Sequence, residues 1–160
     1  MKHLNYLILF TLTTPVFALE GDLELPVHIK SSKQFVDFQK NKISFIGSVV
    51  VKQGSIVIQS DELEVIEQDN DEKILIASGT PARYQQTMET GEISKASANK
   101  ILYDTSNQKI FLIKNAKLYQ QNRLIKGENI QYLINTQTIV AKSGQRKRDR
   151  VTTILKANSK

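Results

Sequence analysis

The sequence predicts an all-β fold: a sandwich, a barrel or an open roll. Apolar residues recur at every second position in short runs, the runs are separated by polar clusters at intervals of about 8–12 residues, and helical periodicity is nearly absent. The runs also repeat one another in spacing. Side chains on a strand alternate between its two faces, so each run presents one apolar face. Repeated units of this kind are expected to stack with one continuous apolar inner face.

The clearest run is Ile43–Val65, which the rest of the chain echoes. Alternate apolar positions fill its first part and resume after a turn at Gln53-Gly54-Ser55. The phase then slips by one residue at Ser60-Asp61-Glu62. A one-residue slip would turn every later side chain to the other face unless a bulge absorbs it. We therefore expect a bulge or a sheet corner at this point.

The slip recurs, which makes it a structural unit and not an accident. Ile58-x-Ser60-x-x-Leu63-x-Val65 has the same form as Ala96-x-Ala98-x-x-Ile101-x-Tyr103 and Ile125-x-Gly127-x-x-Ile130-x-Tyr132. The half before it recurs as well, because Gly47–Gln53 matches Lys114–Gln120. Ala82-x-Tyr84-x-Gln86 is an irregular copy, and Ile29–Val36 is a degenerate first copy. Repeated corners would bend the sheet into a trough.

The remaining elements follow from turn signals. Polar tips are expected at Glu67–Glu72 and Thr87–Glu92, and Gly79 and Pro81 mark a kink or an edge position. A basic turn at Gln145–Arg150 precedes the last strand. The predicted strands outside the first run are Val27–Ser31, Gln34–Phe38, Ile74–Ala77, Ala82–Gln86, one that ends at Tyr103, Ile110–Tyr119, Leu124–Leu133, Thr138–Ala141 and Val151–Leu155.

The N-terminus has the features of a cleaved export signal. Lys2 supplies the positive charge, Leu4–Leu12 the apolar run and Val16-Phe17-Ala18 the small-x-small pattern before a cut between Ala18 and Leu19. The run is far shorter than the ~20 residues of a membrane-spanning helix. The alternative is a mildly hydrophobic first strand. We expect residues 1–18 to be the signal, 19–155 one domain and 156–160 a short polar tail, with the mature chain soluble in the periplasm of a Gram-negative cell.

Composition argues against an enzyme. The chain has no cysteine, and after signal removal its one histidine, His28, lies between Val27 and Ile29 in a predicted strand. A His-based triad or a multi-His metal site cannot be built from one histidine. The paired carboxylates fall at corners and tips, where solvated acids are expected. We predict no catalytic residues, no metal and no cofactor.

A formal net charge of +6 is compatible with an anionic partner, but the charge by itself favours the simpler explanation of solubility. The run Arg146–Arg150 is either a solvated turn or a contact for lipid phosphate or an acidic neighbour. Export and the lack of interleaved aromatics argue against nucleic acid. The inner face likewise has two readings, an ordinary packed core or a groove for flexible acyl chains, and spacing does not decide between them.

Several motifs together resemble the OstA-like family of periplasmic lipopolysaccharide-transport proteins. They are Pro26-Val27-His28-Ile29-x-Ser31, Phe45–Gly54, Gly79-Thr80-Pro81-Ala82, Ile125-Lys126-Gly127 and Arg150-Val151-Thr152-Thr153. The resemblance covers nearly all of 21–155. It implies an open, twisted β-jellyroll, a half-pipe of V-shaped strands whose interior holds the acyl chains (lipid A) of lipopolysaccharide. The chain departs from the family pattern at Lys114-Asn115 and at Arg83, which puts the lining beside Tyr84 in doubt.

The resemblance also implies partners and site residues. Copies would associate head to tail between an inner-membrane-anchored partner of the LptC type and an outer-membrane translocon of the LptD type. The edges that would meet neighbours are Val27, His28 and Ile29 at one end and Val151, Thr152, Thr153 and Ile154 at the other. The predicted lipid-binding groove comprises Val27, Ile29, Phe45, Val49, Val51, Ile56, Ile58, Leu63, Tyr84, Ile101, Tyr103, Leu112, Leu118, Ile130 and Tyr132. The alternative function is a periplasmic adaptor that works by strand addition and carries no lipid.

Overall fold

A computed structural model describes residues 21–68, 72–146 and 149–156, so the predicted signal and its cut at Ala18 and Leu19 lie outside the described residues. A short 3₁₀ helix (Asp22–Glu24) precedes the strands. The strands are β1 (His28–Lys30), β2 (Lys33–Asp37), β3 (Lys42–Gln53), β4 (Ile56–Glu67), β5 (Lys73–Thr87), β6 (Ile93–Asp104), β7 (Lys109–Gln120), β8 (Arg123–Leu133), β9 (Thr138–Lys142) and β10 (Thr152–Leu155). The described part of the chain contains no helix long and apolar enough to cross a membrane.

The ten strands form one antiparallel sheet in which β3 to β8 pair in chain order. Both edges are shared: β1 and β2 each pair with part of β3, and β9 and β10 each pair with part of β8. The all-β prediction is confirmed.

Every long strand is interrupted in the middle, and the interruptions line up across the sheet. The last pairs before each register shift connect six positions in one row: Ile46, Glu62, Ser78, Lys100, Ile113 and Asn129. This row divides the sheet into two halves. The β2 half holds β2, β9 and residues 42–46, 62–67, 73–78, 100–104, 109–113 and 129–133. The β1 half holds β1, β10 and residues 49–53, 56–60, 82–87, 93–98, 116–120 and 123–127.

The predicted slip is confirmed as this corner. Ser60 and Leu63 are both buried while Asp61 and Glu62 between them are exposed, and the register shifts between Gln59 and Glu62. The neighbouring strands also have small residues at the corner. A bulky side chain there would keep the bending strands apart. The small residues are Ala82, Ala98, Ala116 and Gly127.

The prediction of separate strands at Ile74–Ala77 and Ala82–Gln86 was wrong. Both lie in β5, which runs through a bend at Gly79–Pro81 with a cis Thr80-Pro81 peptide bond. β5 pairs with the same two neighbours on both sides of the bend. The glycine and proline therefore mark a corner within a strand and not the end of one.

The core lies between the two halves, whose inner faces pack against each other. The Tyr103 hydroxyl, on the β2 half, donates to Gln53 Oε1 on the β1 half at 2.7 Å. The main-chain pairing between neighbouring strands stays within each half. Away from the corner, side chains are what hold the halves together.

Candidate functional site

The residues predicted to line the groove converge on this interior. Phe45, Val49, Val51, Ile56, Ile58, Leu63, Tyr84, Ile101, Tyr103, Leu112, Leu118, Ile130 and Tyr132 are buried between the halves. Val27 and Ile29 are half-buried and pack against them. Arg83 points to the outer face and leaves Tyr84 inside, so the sequence departure does not interrupt the lining. The predicted contact of these side chains with lipid stays a prediction.

The interior also contains apolar residues that the predicted set lacked. They are Leu75, Ala77, Ala82, Ile110 and Ile134, together with smaller residues near the corner. Leu75 and Ala77 keep the alternation of Ile74–Ala77, so the sequence held the signal for them. The five residues extend the interior along both halves.

A row of buried polar side chains runs along the side opposite the corner, where the free ends of the two halves face each other. We call this side the mouth. Gln53 and Gln120 are the last residues of β3 and β7, Gln86 is the last residue but one of β5, and Ser94 is the inward residue near the start of β6. The sequence contains a signal for these glutamines, because each one closes a copy of the repeat at an inward position. A polar residue at such a position marks the repeat but does not by itself predict burial.

Tyrosine hydroxyls meet these glutamines. Besides the bond from Tyr103 to Gln53, the Tyr84 hydroxyl donates to Gln86 Oε1 at 2.8 Å. Burial raises the pKa of both tyrosines, and nearby Asp22 raises each pKa further. Burial also raises the pKa of Tyr132. All three hydroxyls therefore stay neutral and available as hydrogen-bond donors across the physiological range.

The N-terminal segment 21–25 closes the mouth over β3 to β5. Gln53 Nε2 donates to the carbonyl oxygens of Leu23 and Leu25 at 3.1 and 2.9 Å. The Ser55 amide donates to Asp22 Oδ1 at 2.6 Å, and Gln86 Nε2 donates to Asp22 Oδ2 at 3.2 Å. The Leu23 side chain packs against the core. The sequence carries no signal for this role, since the three helical residues of the segment have no periodic pattern.

The interior is chemically suited to holding apolar matter and not to acid–base or metal chemistry. Its lining is aliphatic and tyrosine side chains with a few neutral amides. Among the described residues, no group of three His, Cys, Asp or Glu side chains is placed to hold a metal ion. Since side-chain packing joins the halves, a hydrocarbon chain can replace those contacts with others of similar strength.

The predicted edges lie at opposite ends of the sheet. Among the described strands, β1, with His28 and Ile29, pairs only with β3, and β10, with Thr152, Thr153 and Ile154, pairs only with β8. Val27 and Val151 stand just outside these strands. In the basic run, Arg146 Nε pairs with Asp149 at 3.1 Å, while 147 and 148 lie outside the described residues.

Comparison with known proteins agrees with this architecture. Residues 28–138 match the family described as "LptA/(LptD N-terminal domain) LPS transport protein". The chain belongs to this family. It is 34% identical over 149 residues to the lipopolysaccharide export system protein LptA of Escherichia coli K12, a match that covers 92% of this chain and 80% of that protein. It is 33% identical over 163 residues to LptA of Haemophilus influenzae, covering 97% and 94%.

A solved structure has the same fold as this family member. The crystal structure of LptH from Pseudomonas aeruginosa superposes with a TM-score of 0.79 at 25% identity, covering 85% of this chain and 99% of the other. That protein is described as the LptA-homologous periplasmic component of the conserved lipopolysaccharide transport device. The jellyroll half-pipe expected from the resemblance is thereby confirmed.

Proposed function

We propose that this protein is a periplasmic carrier that transports lipopolysaccharide by holding its acyl chains between the two halves of the sheet. Membership of the transport family supports the substrate class. The observation that carries the mechanism is the continuous apolar interior between two halves that, within the described ranges, share no main-chain pairing away from the corner. The halves can therefore part without breaking the β-ladder.

The energetics favour such an exchange. Each buried methylene contributes about 0.8 kcal/mol, so partial enclosure of several acyl chains offsets the loss of contacts between the halves. The phosphates stay outside, at the rim, near lysine and arginine side chains. The reaction needs no catalytic residue, because the lipid is moved and not chemically changed. The energy for directed movement comes from another protein.

A photocrosslinking pair tests the carrier. Leu112 and Phe111 are neighbours on β7, but Leu112 is buried inside and Phe111 lies half-buried on the outer face. A benzoylphenylalanine at Leu112 is expected to crosslink lipopolysaccharide in cells at a yield several times that from Phe111. The two positions share a strand and a depth along the sheet, so Phe111 controls for non-specific capture.

Equal yields at Leu112 and Phe111, with the protein still folded by circular dichroism, would reject the interior as the lipid site. The result would then favour the adaptor, a module that docks partners by strand addition without lipid. Purification of the protein with no bound lipopolysaccharide in repeated native mass spectra would point the same way.

The bridging role belongs to the same proposal. β1 and β10 leave unpaired main-chain groups at opposite ends of the sheet, which suits the addition of a neighbour's strand at each end. Copies would stack head to tail, ending on an inner-membrane partner of the LptC type and an outer-membrane translocon of the LptD type. The N-terminal signal would direct export and be removed by a cut between Ala18 and Leu19.

A further inference from the structure

The mouth contains one polar arrangement three times, and only two copies are filled. In each copy a glutamine at or next to the end of a strand lies beside a tyrosine hydroxyl. Gln53 with Tyr103 and Gln86 with Tyr84 are hydrogen-bonded, and the amides of both glutamines donate to the N-terminal segment 21–25. The third copy, at the β7–β8 end, is formed by Gln120 and Tyr132.

Three buried polar atoms at the third copy lack a hydrogen-bond partner. Gln120 Oε1, the Tyr132 hydroxyl and Ser94 Oγ make no hydrogen bond, although the three residues are 6%, 1% and 0% exposed. Ser94 lies opposite Gln120 by the register of β6 and β7. Burial raises the pKa of the Tyr132 hydroxyl, and the nearby Gln120 side chain partly offsets that rise. The distance and angles between the two side chains do not meet those of a hydrogen bond. Unmet buried groups of this kind cost free energy, so a ligand that satisfies them gains it.

A cavity opens beside Gln120, one of these three residues. Its volume is ≈ 90 Å³, room for about three water molecules. Leu118, Ile125 and Ile139 form apolar walls, and Gln120 and Arg123 line it with polar groups. The ion pairs of the described residues do not include Arg123. The cavity is thus lined by apolar side chains, by a buried polar group without a hydrogen-bond partner and by the cationic side chain of Arg123.

The segment that fills the first two copies shows which chemistry the arrangement accepts. Asp22 offers a carboxylate, the carbonyls of Leu23 and Leu25 accept from an amide, and the Leu23 side chain enters the core. An anion, neighbouring carbonyl groups and an apolar chain are also the parts of a charged lipid where head and tail join. The segment is therefore an internal mimic of an anionic amphiphile.

We propose that the third copy is a binding subsite for the head–tail junction of an anionic acylated amphiphile. Arg123 binds the phosphate, and Gln120 Oε1 accepts from a hydroxyl or amide beside the acyl linkage. The first methylenes lie against Leu118 and Ile125. This inference rests on the proposed function, because the rest of the acyl chain must enter the interior.

Calorimetric titration of the purified protein with two single-chain probes tests the subsite. Lysophosphatidic acid carries a phosphate, and a monoacylglycerol of the same chain length does not, while both carry hydroxyls at the junction. R123Q is expected to weaken binding of lysophosphatidic acid about tenfold and to leave the monoacylglycerol within about twofold. Q120L is expected to weaken both probes. R83Q removes the same charge from the outer face and should change neither.

The outcomes separate the two levels of the proposal. If the unsubstituted protein binds both probes but R123Q behaves as R83Q does, or Q120L changes neither affinity, the subsite is rejected and the carrier stands. If the unsubstituted protein binds neither probe, the interior does not take acyl chains and both proposals fail. A parallel loss for diphosphoryl lipid A in R123Q identifies lipopolysaccharide as the source of the junction, and a loss confined to lysophosphatidic acid identifies a glycerophospholipid.

Discussion

At the scale of single residues, the interior shows how far alternation alone predicts a site. The groove residues were read from period-two runs, and those on the long strands are buried, because a strand packed on one face has no other way to arrange them. The mouth glutamines escaped the same reasoning. Gln53 and Gln120 stand at the same alternate positions as the core residues, but a polar side chain does not suggest burial. Their burial is understood only once the neighbouring tyrosines on the other half of the sheet are known.

The tyrosines give a residue-scale prediction for stability. Y103F removes the donor to Gln53 Oε1 and leaves that oxygen buried without this partner. We expect the free energy of unfolding to fall by about 1–3 kcal/mol. Y132F removes a hydroxyl that has no partner, so it should leave the free energy unchanged or raise it slightly. Urea denaturation of the two variants beside the unsubstituted protein measures both changes.

The two substitutions delete the same atom from side chains on the inner face of the same half of the sheet. A loss as large in Y132F as in Y103F would show that the Tyr132 hydroxyl has a partner in the free protein. That result would also weaken the case for an unfilled third copy at the mouth.

At the scale of strands, the sequence revealed one kind of corner and hid another. A slip of one residue, as in β4, β6 and β8, changes the parity of the apolar pattern and is visible in the sequence. The corners of β3 and β7 instead insert two residues, Gly47-Ser48 and Lys114-Asn115, all four at positive φ. When two residues are inserted, the apolar residues on both sides of the corner still fall at every second position. The alternation of the sequence therefore gives no sign of the corner.

The β7 corner carries the element-scale prediction. Lys114 has a φ of +63°, a conformation that costs a side chain about 1–2 kcal/mol and costs glycine none. After the extra chain entropy of glycine in the unfolded state, K114G should raise the free energy of unfolding by about 0.5–1 kcal/mol. K117G, three residues on in extended backbone and equally exposed, should lower it by a similar amount. Chemical denaturation of the pair gives the sign; a decrease in K114G would refute a left-handed corner at this residue.

At the scale of the whole molecule, the fold class and the trough followed from repetition. The trough is one sheet that folds along a row of corners. This row forms only when the corners of several strands line up, so a single repeat does not reveal it. What the sequence could not supply is the contact between distant elements. The segment 21–25 reaches residues far along the chain, such as Gln86, through hydrogen bonds that leave no periodic trace. That closure of the mouth, and the copy it leaves unfilled, required the structure.

The two edges of the folded sheet allow a test of head-to-tail stacking, helped by the absence of cysteine from the sequence. Lys30 on β1 and Thr152 on β10 occupy the outer edges at opposite ends. If β10 of one copy pairs with β1 of the next, a K30C/T152C chain should oxidise into a ladder of dimers, trimers and longer species on non-reducing gels. Each single-cysteine chain can form at most a dimer and serves as the control. A second double variant, K30C/I154C, places the cysteine two residues along the same face of β10. It covers a different alignment of β10 with β1 of the next copy. A double variant that stops at dimers in both registers would show that copies meet through like edges, a closed contact that cannot extend across the periplasm.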